Sequence, residues 1–160
     1  MATRLDSLCF TDLPLAADVA RGVTRLFCRQ DLFAVCEMPL PNGRRADLMA
    51  IDPKGGLTIV EIKVAKSDLL GDGKWVDYLE YCDSFYWAVP PNLAPILDEE
   101  RYLPGDAGLI VADRYDAAIV RAAAHRSLAP ARRKAELLHF ARRAARRLSA
   151  QVDPSLGEAS

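Results

Sequence analysis

Arg44-Arg45-Ala46-Asp47-Leu48-Met49-Ala50-Ile51-Asp52-Pro53-Lys54-Gly55-Gly56-Leu57-Thr58-Ile59-Val60-Glu61-Ile62-Lys63 is the stretch on which the fold turns. Two apolar runs rich in strand-forming residues flank a short breaker, Asp52 to Gly56, which is the pattern of a β-hairpin. With the turn centred on Lys54, paired residue numbers sum to 108, so Asp47 faces Glu61 and Arg45 faces Lys63. Side chains alternate along a strand, so Glu61 and Lys63 share a face. Carboxylates directly opposite each other repel, and a fold tolerates them best with a cation between. A metal ion with oxygen ligands suits such a place. The competing reading is two surface acids paired with Arg45 and Lys63, an arrangement of small energetic value.

Working outward, Val19, Val23, Leu26 and Phe27 predict a helix over about Leu15 to Gln30, modestly weakened by Gly22. Phe33 to Pro39 reads as a strand closed by Pro39 and Pro41, so three consecutive strands follow the first helix. Ser67 to Gly73 reads as irregular because its glycines punctuate it. A helix is expected over about Lys74 to Asp83, with Trp75, Tyr78, Leu79 and Cys82 as its buried stripe and Lys74, Asp77 and Tyr81 on another face. Phe85 to Val89 and Gly108 to Ala112 are apolar enough for buried strands, with Ala118 to Arg121 as a further strand. Residues 92–106 read as a loop with a helical turn. The last helix spans about Pro130 to Ala150, with Leu137, Ala141, Ala144 and Leu148 as its apolar stripe and Arg132, Arg142, Arg143, Arg146 and Arg147 opposite. The first dozen residues and the tail from Asp153 read as loose ends. The order of elements predicts an α/β sandwich around one mixed sheet, a single domain over residues 1–160 with an ordered core of about 15–150.

With 160 residues and 51% hydrophobic content, the chain can bury one proper core. No apolar run is long enough to span a bilayer and the N-terminus lacks a signal-peptide core, so a cytoplasmic protein without membrane contact is expected. Cys9, Cys28, Cys36 and Cys82 form no C-x-x-C pair and read as thiols. Two histidines, His125 and His139, leave little room for histidine-built metal sites or triads, and both read as incidental. The net charge of −1 conceals a polarity: residues 126–147 hold eight basic residues and one acid, while the remainder has 13 basic and 21 acidic residues. A basic helix on an acidic body is suited to a polyanion, and equally describes a solvated helix face.

Were Asp47 and Glu61 to share Mg²⁺ or Mn²⁺, the ion would polarise a phosphodiester and acidify a bound water. Lys63 could place that water or offset transition-state charge. Arg45, Lys66, Lys74 and Tyr81 are candidate substrate contacts, and the basic helix with Lys54 could hold the phosphate backbone without reading bases. Trp75, Phe85, Tyr86 and Trp87 read as core.

Asp47, then thirteen residues, then Glu61-Ile62-Lys63 resembles the PD-(D/E)xK motif of restriction-endonuclease-like nucleases. Asn42 to Asp47, Val60 to Lys63, Lys74-Trp75, Asp77 to Leu79, Tyr81 to Asp83, Phe85 to Pro90 and Ala131 to Ala135 resemble the MmcB-like DNA repair proteins of alphaproteobacteria, across roughly residues 15–150. The resemblance implies a restriction-endonuclease-like three-layer α/β/α sandwich and a metal-dependent deoxyribonuclease core. It implies Asp47, Glu61 and the Ile62 carbonyl as metal ligands and Lys63 as the catalytic lysine. Its partners would be DNA and other DNA repair or translesion synthesis proteins, with a second copy of the chain wherever both strands are handled. Many relatives carry a glutamate on the first helix; here none lies between Leu15 and Gln30, and Glu37 is the nearest substitute, with a pairing to Arg44 or Arg45 as its other role. Two alternatives stand beside the enzyme: a non-catalytic DNA-binding or adaptor module of the same fold, and an RNA-processing nuclease.

Overall fold

The computed structural model describes residues 15–70, 73–98 and 105–157. Six strands form one sheet in the order β1-β2-β3-β4-β5-β6: β1 Phe33–Pro39, β2 Arg45–Ile51, β3 Leu57–Ile62, β4 Ser84–Val89, β5 Gly108–Ala112 and β6 Ala117–Arg121. The first three form an antiparallel meander, β4 and β5 join parallel, and β6 returns antiparallel. Helix α1 (Ala16–Arg29) covers one face, and α3 (Pro130–Val152) with two short 3-10 helices covers the other. The result is the expected three-layer sandwich around a mixed sheet. Among the described residues no helix is long and apolar enough to cross a membrane.

Each face has its own core. Under α1, Val19, Val23 and Phe27 meet Leu48, Val60, Ala88 and Ile110. Gly22 allows the close approach, because a Cβ there would stand 2.0 Å from the Asp113 carbonyl oxygen and 2.6 Å from that of Asp116. The other core is aromatic, with Phe85 edge-on to Trp87 at 5.1 Å between ring centroids and Tyr78 stacked at 5.9 Å.

Three local expectations change. The segment after Gly73 is a 3-10 helix, Trp75–Tyr81, not an α-helix to Asp83. Asn42 Nδ2 donates to the Asp77 carbonyl, the acceptor an α-helix would give to the Tyr81 N–H. At three residues per turn Tyr78 and Tyr81 fall on one buried side. Lys66–Leu70 is a one-turn helix, α2, since both glycines of that segment lie beyond it. In α3 the buried positions are Glu136 and Phe140, while Ala141 and Leu148 of the expected stripe are exposed, Leu148 by 64%. Cys28, Cys36 and Cys82 are free thiols, whereas Cys9 and the first dozen residues lie outside the described residues.

Asp83 joins the layers and had no part in the sequence-based site. It is 4% exposed and accepts hydrogen bonds from the Leu57 N–H at 2.8 Å and the Leu128 N–H at 2.9 Å. The Arg133 guanidinium grips both its oxygens, at 2.8 and 2.6 Å, and also donates to the Gly55 carbonyl at 2.9 Å. Burial pushes this carboxyl up, but Arg133 and the two N–H groups outweigh it and hold it at about 2. One carboxylate thus fastens the start of β3, the segment before α3 and α3 itself.

Candidate functional site

The hairpin register is the expected one: Leu48 pairs with Val60 and Met49 with Ile59, which sets Asp47 opposite Glu61. The acids hold each other's strand. The Asp47 N–H donates to Glu61 Oε1 at 3.1 Å, and the Ile62 N–H donates to Asp47 Oδ2 at 2.8 Å. Both bonds lie at the end of the hairpin far from its turn, where the ladder opens. Glu61 is 6% exposed and stands in register with Trp87 on β4. Lys63, two residues on, places its Nζ 5.2 Å from the centre of the Trp87 ring, so the aromatic core props the ammonium group.

Burial pushes the Asp47 carboxyl up. The Ile62 N–H, Lys63 and Arg45 pull it down, and Glu37 pushes it up again. These influences locate Lys63, Arg45 and Glu37 around Asp47. Glu37 falls between the β1–β2 pairs Cys36–Leu48 and Met38–Ala46, which puts it opposite Asp47. Its φ of +50° is left-handed, a conformation that L residues rarely adopt inside a strand. The kink breaks alternation: Val35 and Met38, three apart, enter the same core. Arg147 of α3 donates to the Glu37 carbonyl at 3.1 Å, and Arg45 lies 3.8 Å from its carboxylate.

Asp47, Glu61, Lys63, Glu37 and Arg45 are therefore brought together. Lys66 opens α2 and Lys74 precedes the 3-10 helix, both exposed. Tyr81 is 5% exposed in the core, its ring 4.8 Å from the Arg132 guanidinium. Asp77 is held by Arg44 at 2.9 Å. From α1 the only acid is Asp18, which lies 3.7 Å from Arg114.

Among the described residues no three His, Cys, Asp or Glu side chains are grouped to hold a metal ion by side chains alone. The donors present are two carboxylates of neighbouring strands and main-chain oxygens. That set is chemically suited to Mg²⁺ or Mn²⁺, which take one or two carboxylates and keep several waters.

Sequence reasoning missed the inner face of α3. Glu136 is 0% exposed, and neither carboxylate oxygen has a hydrogen-bond partner. Arg132 Nη1 and His139 Nδ1 stand 3.8 Å away, so His139 is not the incidental residue its scarcity suggested. Burial pushes this carboxyl up, against the pull of His139 and Arg132. A lone acid within the basic run 126–147 was the available signal.

Comparison with known proteins gives a family and a solved relative. The family model for DNA repair protein MmcB-like matches residues 12–155. A solved structure of a protein of unknown function from Silicibacter pomeroyi is 43% identical, covers 90% of this chain and 95% of its own, and superposes with a TM-score of 0.80. No curated protein matches the chain.

Proposed function

The chain belongs to the MmcB-like DNA repair protein family, and from that premise we propose a metal-dependent phosphodiesterase that acts on DNA. The observation carrying this reading is the reciprocal bonding of Asp47 and Glu61, which keeps two carboxylates together at the open end of a hairpin. Asp47, Glu61 and the Ile62 carbonyl would hold Mg²⁺ or Mn²⁺. The ion, when bound, would polarise the phosphodiester and acidify a water. Lys63, steadied over Trp87, orients the attacking water and offsets charge on the phosphate. Glu37 lies across from Asp47 as a further acceptor for that water's proton, and Arg45 meets the phosphate.

Titrating Mn²⁺ calorimetrically into wild type and Glu61→Ala tests the site. The expected outcome is one binding event, weakened at least about tenfold in the variant, as loss of a direct ligand demands. The activity test is cleavage of labelled duplex, nicked and branched DNA, with Glu61→Ala and Lys63→Ala inactive. A second reading, a DNA-binding adaptor that retains the fold, is favoured by α1, whose single acid is turned to Arg114. DNA binding without cleavage in either Mg²⁺ or Mn²⁺ would establish the adaptor instead.

A further inference from the structure

A groove of 560 Å³ runs between Met38–Pro41, at and just beyond the end of β1, and the α3 residues His139, Arg142, Arg143 and Arg146. A second hollow, of 380 Å³, continues along α3 past Arg147 to Gln151 and Gly157, and Arg143 and Arg146 line both. Among the described residues no Asp or Glu lines either one. Outside residues 126–147 the body carries 13 basic and 21 acidic residues, so a polyanion is repelled elsewhere and drawn here. Arg143 Nε is buried with no hydrogen-bond partner, a donor at the meeting of the two hollows that lacks an acceptor. The track also passes beside the candidate site: Arg147 holds the Glu37 carbonyl, and Glu37 lies across from Asp47.

The walls differ in chemistry. Arginines line one side, while Met38 and Leu40 are buried beneath the other and Pro39 and Pro41 form its exposed rim. A double helix would offer such a groove its phosphates only, because its base faces are stacked inside. A single strand offers phosphates to the guanidinium groups and unpaired bases to the apolar wall and the guanidinium planes. From His139 to Gln151 the helix rises about 18 Å, room for a few nucleotides.

We propose that this arginine track binds single-stranded DNA and leads it to the Asp47–Glu61 pair, so that the preferred substrate carries an unpaired strand. The proposal rests on the DNA-directed reading above and deepens it. The test is fluorescence anisotropy of a labelled oligothymidylate and of a blunt duplex of equal length, across a salt series. The proteins are wild type, Arg142→Ala/Arg146→Ala, and Arg21→Ala on the exposed side of α1 as a control. Both track arginines are exposed, so the double variant keeps its fold, checked by its unfolding midpoint. Wild type and Arg21→Ala are expected to bind the single strand at least tenfold more tightly than the duplex. The double variant should lose tenfold or more, with a log–log salt slope shallower by about 1.4, at about 0.7 per phosphate contact on a single strand. Equal or tighter duplex binding by wild type, or unchanged single-strand affinity in the double variant, overturns the track. Mn²⁺ titrated into wild type, set beside the strand preference of wild type, separates this from the hydrolytic reading. Metal binding without strand preference sinks the track alone, and strand preference without metal binding sinks the hydrolase and keeps the track.

Discussion

Replacing Asp83 by Asn should be among the most damaging single changes in this chain, although it touches neither candidate ligand. Every polar atom facing the Asp83 carboxylate is a donor: the N–H groups of Leu57 and Leu128 and two nitrogens of Arg133. Asn keeps one acceptor oxygen and turns an NH₂ toward donors, so one backbone N–H or half of the Arg133 fork is left unsatisfied. Breaking a buried pair by removing one partner costs about 3–5 kcal/mol. Arg133 is 26% exposed and regains some hydration, which favours the lower end, about 3 kcal/mol. A second route agrees in scale: holding the carboxyl at about 2 instead of 3.8 is worth about 2–3 kcal/mol. Domains of this size are stable by only about 5–15 kcal/mol, so the loss is a large share.

The assay is urea unfolding followed by the fluorescence of Trp75 and Trp87, first at pH 7 and then on acidification. The carboxyl is held below its unfolded value, so its contribution is complete above about pH 4 and disappears as pH falls through about 2. Wild type should therefore lose its advantage over Asp83→Asn across that window. A loss under about 1 kcal/mol at pH 7, or a gap that stays constant from pH 5 to pH 2, would refute the claim that Asp83 is the charged fastener of the layers.

Two further outcomes follow from packing and burial. Gly22→Ala should lower the melting temperature by several degrees or more, because the new methyl would meet backbone carbonyls of 113 and 116 that cannot step aside; overpacking of this kind costs about 1–3 kcal/mol. Glu136→Gln should raise stability at pH 7 by about 1 kcal/mol, since a buried carboxylate with no hydrogen-bond donor is worse than a neutral amide. Its folded carboxyl is raised, so wild type gains stability as pH falls through that raised value toward the ordinary carboxylate range, and the variant's advantage should shrink across that window and stay level below it.

What the sequence disclosed depended on the range of the interactions responsible. The β2–β3 hairpin is local: a five-residue breaker and two alternating runs set its register, and with it the meeting of Asp47 and Glu61. The helix after Gly73 looked α-helical because Trp75, Tyr78, Leu79 and Cys82 recur at the right interval; Asn42 and Arg44, some thirty residues away, tighten it through Asp77. Gly22 costs a little helix propensity locally, and its reason lies in the β5–β6 turn, far along the chain. Glu37 gave no sign of its left-handed backbone, for a strand with one kinked residue has the same composition as one without.

Helix α3 takes this furthest. Its expected apolar stripe was 137, 141, 144 and 148; the face turned toward the sheet is 136, 140, 143 and 147, each one residue earlier, with Leu137 and Ala144 left at the margin. One residue is about 100° of rotation. Hydrophobicity alone would not choose this, since it buries Glu136 and half-buries Arg143 and Arg147 while leaving Leu148 outside. The two hydrogen-bonded arginines supply the reason. Arg133 and Arg147 are fourteen residues apart, hence on nearly the same side of the helix, and they grip Asp83 and the Glu37 carbonyl. Pinned at both ends, the helix must point what lies between them inward. A chain that wanted only a core would have placed leucines there. This one places Glu136 and Arg143 along that side, so the arginine anchors, and not apolar burial, set how the helix is turned.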